Sequence, residues 1–208
     1  MDRCPYCAAQ LSQPSSCAAC HQPIEVDERA TPFDLFALEP RHDVDVKALR
    51  KQLLSITRDI HPDYFATSTP DVRERAERNS ARLNKAFEVL SDETARADWL
   101  VTHLGGPDEQ TERAMPQAFL MEVLEWNETL EEARADPARL DPRLETLEQE
   151  LRGKRDESTA AIRAVLTPLP SRGSPTLRRA RQELNAIRYV DRALNEIESL
   201  RLARAARR

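Results

Sequence analysis

Apolar side chains recur at Leu49, Leu53, Ile56 and Ile60, at spacings of four, three and four. That interval keeps them on one face of a helix spanning residues 45–60. Residues 71–90 repeat the pattern, with Ala76, Leu83, Phe87 and Leu90 turned inward. Ahead of them, "TPFDLFAL" predicts a short helix with Thr31 as N-cap and Pro32 at the first helical position. After them, "SDETARADWLVTHL" predicts a fourth helix, capped by Ser91 or Asp92. The second and third runs are joined only by "HPDYFATSTP", so they can return antiparallel as a hairpin.

A break follows at "GGPDEQTE", from Gly105, and three longer amphipathic runs come after it. The first covers residues 116–135. The second carries Leu140, Leu144, Leu147, Leu151, Ser158, Ile162 and Val165, near a heptad register. The third carries Leu177, Ala180, Leu184, Ile187, Leu194 and Ile197. Apolar stripes with charged backs of this kind predict an antiparallel three-helix bundle. "TPLPSRGSP", residues 167–175, is a loop, because three prolines and a glycine cannot continue a helix.

Composition sharpens this picture. Only 4 glycines are present in 208 residues, and alternating β-branched runs are scarce. An all-α chain is therefore expected. Apolar residues make up 40% and charged residues 32%, the balance of a soluble globular protein. The net charge of -5 argues against a general nucleic-acid binder and makes any basic site local. No apolar run reaches membrane-spanning length. "MDRCPYC" lacks the apolar core of a signal peptide, so a reducing, cytoplasmic compartment is expected. Three zones result: residues 1–24, which hold every cysteine; a helical domain at 31–104; and the bundle at 114–205.

Cys4, Cys7, Cys17 and Cys20 read C-x-x-C, nine residues, C-x-x-C. Two such pairs form two thiolate knuckles that close a tetrahedron around one soft divalent ion, and a single structural zinc is expected. The segment has too few apolar residues to fold alone, so the metal would supply its folding free energy. Metal removal is then expected to unfold only residues near 1–24. Three rival readings fit less well. "CPYC" alone matches a glutaredoxin motif, but that fold needs a strand before it and only three residues precede it. "CAACH" matches a c-type haem attachment, which needs export and leaves the other pair unexplained. Two disulfides need an oxidising compartment. His21 is read as a polar neighbour.

The run 45–60 ends at His61-Pro62-Asp63. At about 100° per residue, Lys47, Arg50, Lys51 and Arg58 share an arc of about 100°, roughly opposite the apolar face. A cationic face ending at a rigid proline corner suits docking better than catalysis. No second motif supplies a nucleophile or a paired acid, and the chain is not expected to be an enzyme.

A helix with a basic face, then "HPD", then a helix ending "LNKAFEVLSD" resembles a J-domain, the module that stimulates DnaK-type ATPase chaperones. "RADWLVTHLGG", "QAFLMEVLEWNETLEEA" and "AIRYVDRALNEI" narrow the resemblance to the HscB (Jac) co-chaperones of iron–sulfur cluster assembly. It covers about residues 31–204, and some members of that family carry a paired C-x-x-C segment as well. The resemblance implies that Lys47, Arg50, Lys51, Arg58, His61, Pro62 and Asp63 dock a DnaK/HscA-type chaperone. It implies also that the bundle binds an IscU-type scaffold protein through Leu120, Met121, Leu124, Glu125, Glu128, Glu132 and Tyr189. Two departures stand out. Tyr64 follows the tripeptide where many J-domains have lysine, and Tyr189 adds a hydroxyl where an aromatic contact is expected.

Leu120, Met121 and Leu124 fit the core stripe of their helix too, and at least one of them is expected to be buried. Other classes of function stay open from the sequence. One is a general J-domain adaptor whose knuckle and bundle hold unfolded clients or nucleic acid, although the acid-rich first bundle helix disfavours nucleic acid. Another is a cysteine-based redox or cluster carrier. Self-association is not legible.

Overall fold

The computed structural model describes residues 3–135 and 142–206. Its described elements are all helical: α1 (Pro32–Leu35), α2 (Val46–Ile60), α3 (Pro70–Ser91), α4 (Glu93–His103), α5 (Gln117–Ala135), α6 (Pro142–Leu166) and α7 (Thr176–Ala205), with a 3-10 turn at Pro62–Phe65. The expected all-α class holds, and the helical hairpin is followed by the three-helix bundle. Two compact units emerge, Met1–Trp99 and Leu100–Arg208.

In the first unit, side-chain caps start α1, α2 and α4. Thr31 accepts from the Asp34 N–H, and Asp34 answers with a bond from the Thr31 N–H at 2.8 Å, a reciprocal box that offsets the shortness of α1. Asp45 caps α2 through the N–H groups of Lys47 and Ala48. Of the two candidates for α4, the cap is Asp92, which accepts from Ala95 N–H at 2.7 Å.

Leu49, Ile56 and Ile60 of α2 are buried, as are Ala76, Leu83 and Leu90 of α3. Leu53 and Phe87, also expected inward, are only half-buried. Phe33 of α1 meets the Trp99 ring at 5.3 Å. Arg96 is buried too, and donates to the carbonyls of His42 and Leu90, so its charge ties the loop before α2 to the end of α3.

In the second unit, Phe119, Trp126 and Leu130 of α5 pack on Leu144, Leu147 and Leu151 of α6 and on Val190, Ala193 and Ile197 of α7. The N-terminal half of α6 thus meets the C-terminal half of α7, as an antiparallel pair requires. Ion pairs pin α5 in place: Lys154–Glu122 at 2.9 Å, Arg143–Glu132 at 2.8 Å, and Arg134–Glu196. Val165 and Leu194 are half-buried at the margin. Leu140, expected on the α6 stripe, lies outside the described residues.

Candidate functional site

Three surfaces carry the residues singled out above. The first is the cysteine segment. Its two turns share one geometry. Ala8 N–H donates to the Cys4 carbonyl at 2.9 Å, and His21 N–H donates to the Cys17 carbonyl at 2.8 Å. Ala8 and His21 both take the left-handed backbone, at φ of 60° and 56°. Neither is glycine, so each turn holds about 1–2 kcal/mol of strain that the surroundings must outweigh.

All four Sγ atoms lie within 4.8 Å of one another. Cys4 and Cys20 approach to 3.7 Å and Cys7 and Cys17 to 3.6 Å, with no disulfide. Four sulfurs on 2.3 Å bonds to one ion would stand about 3.8 Å apart, so the donor set fits a tetrahedral thiolate site.

The acidities point the same way. The Cys20 N–H, burial and the Ala19 N–H act on Cys17 in that order, and the N–H groups win, lowering it to about 6. For Cys7 and Cys20 the N–H groups of Ala9 and Gln22 favour the thiolate. Burial and the neighbouring sulfurs outweigh them, raising Cys7 and pushing Cys20 up to about 12. The backbone is thus arranged for thiolates that repel one another, and a divalent cation removes that conflict.

The segment does not stand alone within its unit. Asn79 of α3, only 3% exposed, donates its amide to the carbonyls of Ser15 at 2.9 Å and Ile24 at 2.7 Å. Arg82 donates to the carbonyls of Val26 and Asp27 at 3.0 and 2.7 Å. Arg75 bonds both Glu25, at 2.8 Å, and the Tyr6 hydroxyl, at 2.7 Å. Arg75, Asn79 and Arg82 recur at spacings of four and three, so one stripe of α3 holds the knuckle. In the sequence these three read as ordinary polar positions.

The second surface is the corner after α2. His61 and Asp63 are exposed, and the Asp63 N–H donates to His61 Nδ1 at 3.3 Å, so the imidazole caps the 3-10 turn. Tyr64 stands edge-on to His61 at 6.0 Å. Lys47, Arg50, Lys51 and Arg58 are all exposed, and none forms an ion pair among the described residues. At the centre of their arc sits Leu54, 64% exposed. The same angular arithmetic would have found it.

The third surface is the outer face of α5. Leu120, Met121 and Leu124 are 46%, 70% and 61% exposed, so the expectation that at least one is buried is corrected. The core positions of α5 are taken by Phe119, Trp126 and Leu130, on the opposite side of the helix. Glu125 and Glu128 are exposed and lack an ion pair among the described residues, whereas Glu132 is paired with Arg143. Tyr189 is half-buried: its ring meets Phe119 at 5.8 Å and its hydroxyl donates to Asn127 Oδ1 at 2.7 Å. Burial raises its phenol above the ordinary range. It lies under the α5 face more than on it.

Comparison with known proteins adds three findings. A family model described as the HSCB C-terminal oligomerisation domain matches residues 115–198. Two relatives are each called a co-chaperone protein HscB homologue. The one from Bordetella petrii is 43% identical over 108 residues, 51% of this chain and 63% of the relative, so the match falls short of two thirds of that protein. The one from Shewanella sp. is 33% identical over 141 residues, 66% of this chain and 74% of the relative. The crystal structure of human co-chaperone protein HscB superposes with a TM-score of 0.78 over 97% of this chain and 99% of that one, at 22% identity, a likeness of fold.

Proposed function

The chain belongs to the HscB co-chaperone family, and on that footing we propose that it serves iron–sulfur cluster assembly as an adaptor between two proteins. Its first unit docks a DnaK/HscA-type chaperone and stimulates that partner's ATPase. Its bundle delivers an IscU-type scaffold protein. The chemistry belongs to the chaperone, and this chain supplies docking groups.

The observation that carries this reading is the exposed His61-Pro62-Asp63 corner, set at the end of a helix whose four cations have no internal ion pair. Unpaired cations attract an acidic partner and speed encounter. The corner itself is preorganised. Pro62 fixes the backbone, and the His61 ring accepts the Asp63 N–H, so little ordering entropy remains to be lost on docking.

For the scaffold, the outer α5 face offers an apolar patch at Leu120, Met121 and Leu124, edged by Glu125, Glu128 and Glu132. An exposed apolar patch with a charged rim is the anatomy of a protein-binding surface. Met121 adds an adaptable contact. Tyr189 supports the patch from beneath through Phe119.

Cys4, Cys7, Cys17 and Cys20 hold one structural zinc in this reading. The ion neutralises the thiolates and stabilises the folded turns. No described helix is long and apolar enough to cross a membrane.

The deciding experiment uses His61→Gln. The side chain is exposed, so the melt should match the wild type. Stimulation of the chaperone's ATPase should vanish. Full stimulation by the variant would remove the docking assignment.

A further inference from the structure

The second cysteine turn and the His61-Pro62-Asp63 corner border one cleft. It has a volume of about 450 Å³. Cys20, His21 and Gln22 form one wall, and Arg58, Asp59, Tyr64, Phe65 and Ser68 form the other.

Two observations connect this cleft with docking. The first is continuity. Arg58 is the last of the four cations of α2 that have no ion pair among the described residues, and Tyr64, 68% exposed, directly follows the corner. The cleft is therefore an extension of the α2 face. The second is rigidity. Asn79 and Arg82 fix the chain on both sides of the second turn, at Ser15 and at Ile24 to Asp27. His21 is exposed at the tip of that turn, held by its bond to the Cys17 carbonyl. A loosely tethered segment would present no defined wall; this one does.

We propose that the turn Cys20-His21-Gln22 is the second lip of the chaperone-docking surface, and that the cleft receives an acidic segment of that same ATPase chaperone. The inference rests on the docking reading of the corner and extends it to the knuckle. Carboxylates of the segment meet Arg58, whose guanidinium has no ion pair among the described residues. Its flank packs against Tyr64. The knuckle then contributes to recognition directly, through its surface.

The test places acids in the cleft of the full-length, zinc-loaded chain. His21→Asp keeps a residue type that accepts the left-handed backbone, and His21→Asn is its neutral control. Ser68→Glu puts an acid on the wall opposite the knuckle and leaves the cysteine turn untouched.

Zinc content, thermal melts and ATPase stimulation against co-chaperone concentration are read on the same samples. Both acidic variants should raise the half-maximal concentration about tenfold and leave the maximal rate unchanged, the effect shrinking in high salt. The asparagine control should stay near the wild type. Wild-type half-maximal concentrations for both acidic variants, beside a silent His61→Gln, would overturn the cleft alone. A fully active His61→Gln would overturn the docking reading and this inference with it. Should the acidic variants instead abolish dimers of the free chain without moving the half-maximal concentration, the occupant is a second copy and the proposal is overturned.

Discussion

The side-chain amide of Asn79 reaches the carbonyl of Ser15 at 2.9 Å, across 64 residues of chain. The same amide also meets the Ile24 carbonyl. A buried asparagine on a helix that otherwise packs with alanine and leucine is there to satisfy two backbone acceptors.

Asn79→Ala should therefore destabilise the first unit by more than an exposed substitution does. A buried acceptor left without its partner costs about 1–3 kcal/mol; the Ile24 carbonyl is left so, whereas the Ser15 carbonyl keeps the Ile24 N–H at 3.0 Å. Denaturant unfolding measures the loss. Limited proteolysis locates it, because the knuckle should become cleavable near Ser15 while α3 stays resistant. An unchanged midpoint would show that water satisfies the Ile24 carbonyl.

Metal analysis of the anaerobically purified chain should give one zinc per chain and no visible absorbance. Iron with a coloured spectrum would favour the carrier reading. Strong chelation should release residues 1–24 and leave most helical ellipticity at room temperature, since α2 and α3 keep their own apolar faces. The melt of the first unit should nonetheless come earlier, because Asn79 loses the carbonyls of Ser15 and Ile24 and Arg75 loses the Tyr6 hydroxyl.

Glu25 gives a pH signature. The Arg75 hydrogen bond, offset by some burial and aided by the charge of Arg78, holds its carboxyl below the ordinary 4.5. A carboxylate lowered on folding contributes stability that is fully present above 4.5 and is lost as pH falls through the folded value. Glu25 is largely exposed, so solvent screening limits the effect to roughly 0.5–1 kcal/mol. Glu25→Gln should lower the unfolding free energy at pH 7 by that amount, and the gap from the wild type should close on acidification below pH 4. A gap that is constant with pH would assign the effect to packing.

On α5, the double change Leu120→Ala with Leu124→Ala should weaken scaffold binding at least tenfold while the melt moves little. Both side chains are exposed, so the cavity term of a core truncation is absent. Leu130→Ala supplies the contrast, since it is buried and should cost about 2–5 kcal/mol. Titration with the scaffold and thermal melts on the same samples separate the two. Normal binding by the double variant would move the scaffold surface elsewhere.

Much of this fold is legible in the chain. The register of α2 and its cationic back follow from spacing alone, because one amphipathic helix on one core leaves little freedom. The paired C-x-x-C fixes a sulfur cluster for the same local reason. On α5 the period is ambiguous. Apolar residues occupy both Phe119, Trp126 and Leu130 and the adjoining Leu120, Met121 and Leu124, and periodicity alone cannot choose which set the bundle covers. The fastening of the knuckle was not legible at all. Asn79 reads as a neutral polar residue until the carbonyls it serves, 55 and 64 residues earlier, are brought beside it.

That separation also orders events while the chain is being made. The knuckle leaves the ribosome before its seat on α3, which follows more than fifty residues later, a delay of several seconds at about 5–20 residues per second. Through that interval the strained turns at Ala8 and His21 have no support from α3. The cysteines must be kept from oxidising or cross-pairing until α3 has been synthesised. With the proposed zinc, early capture of the ion would protect the nascent segment through that interval.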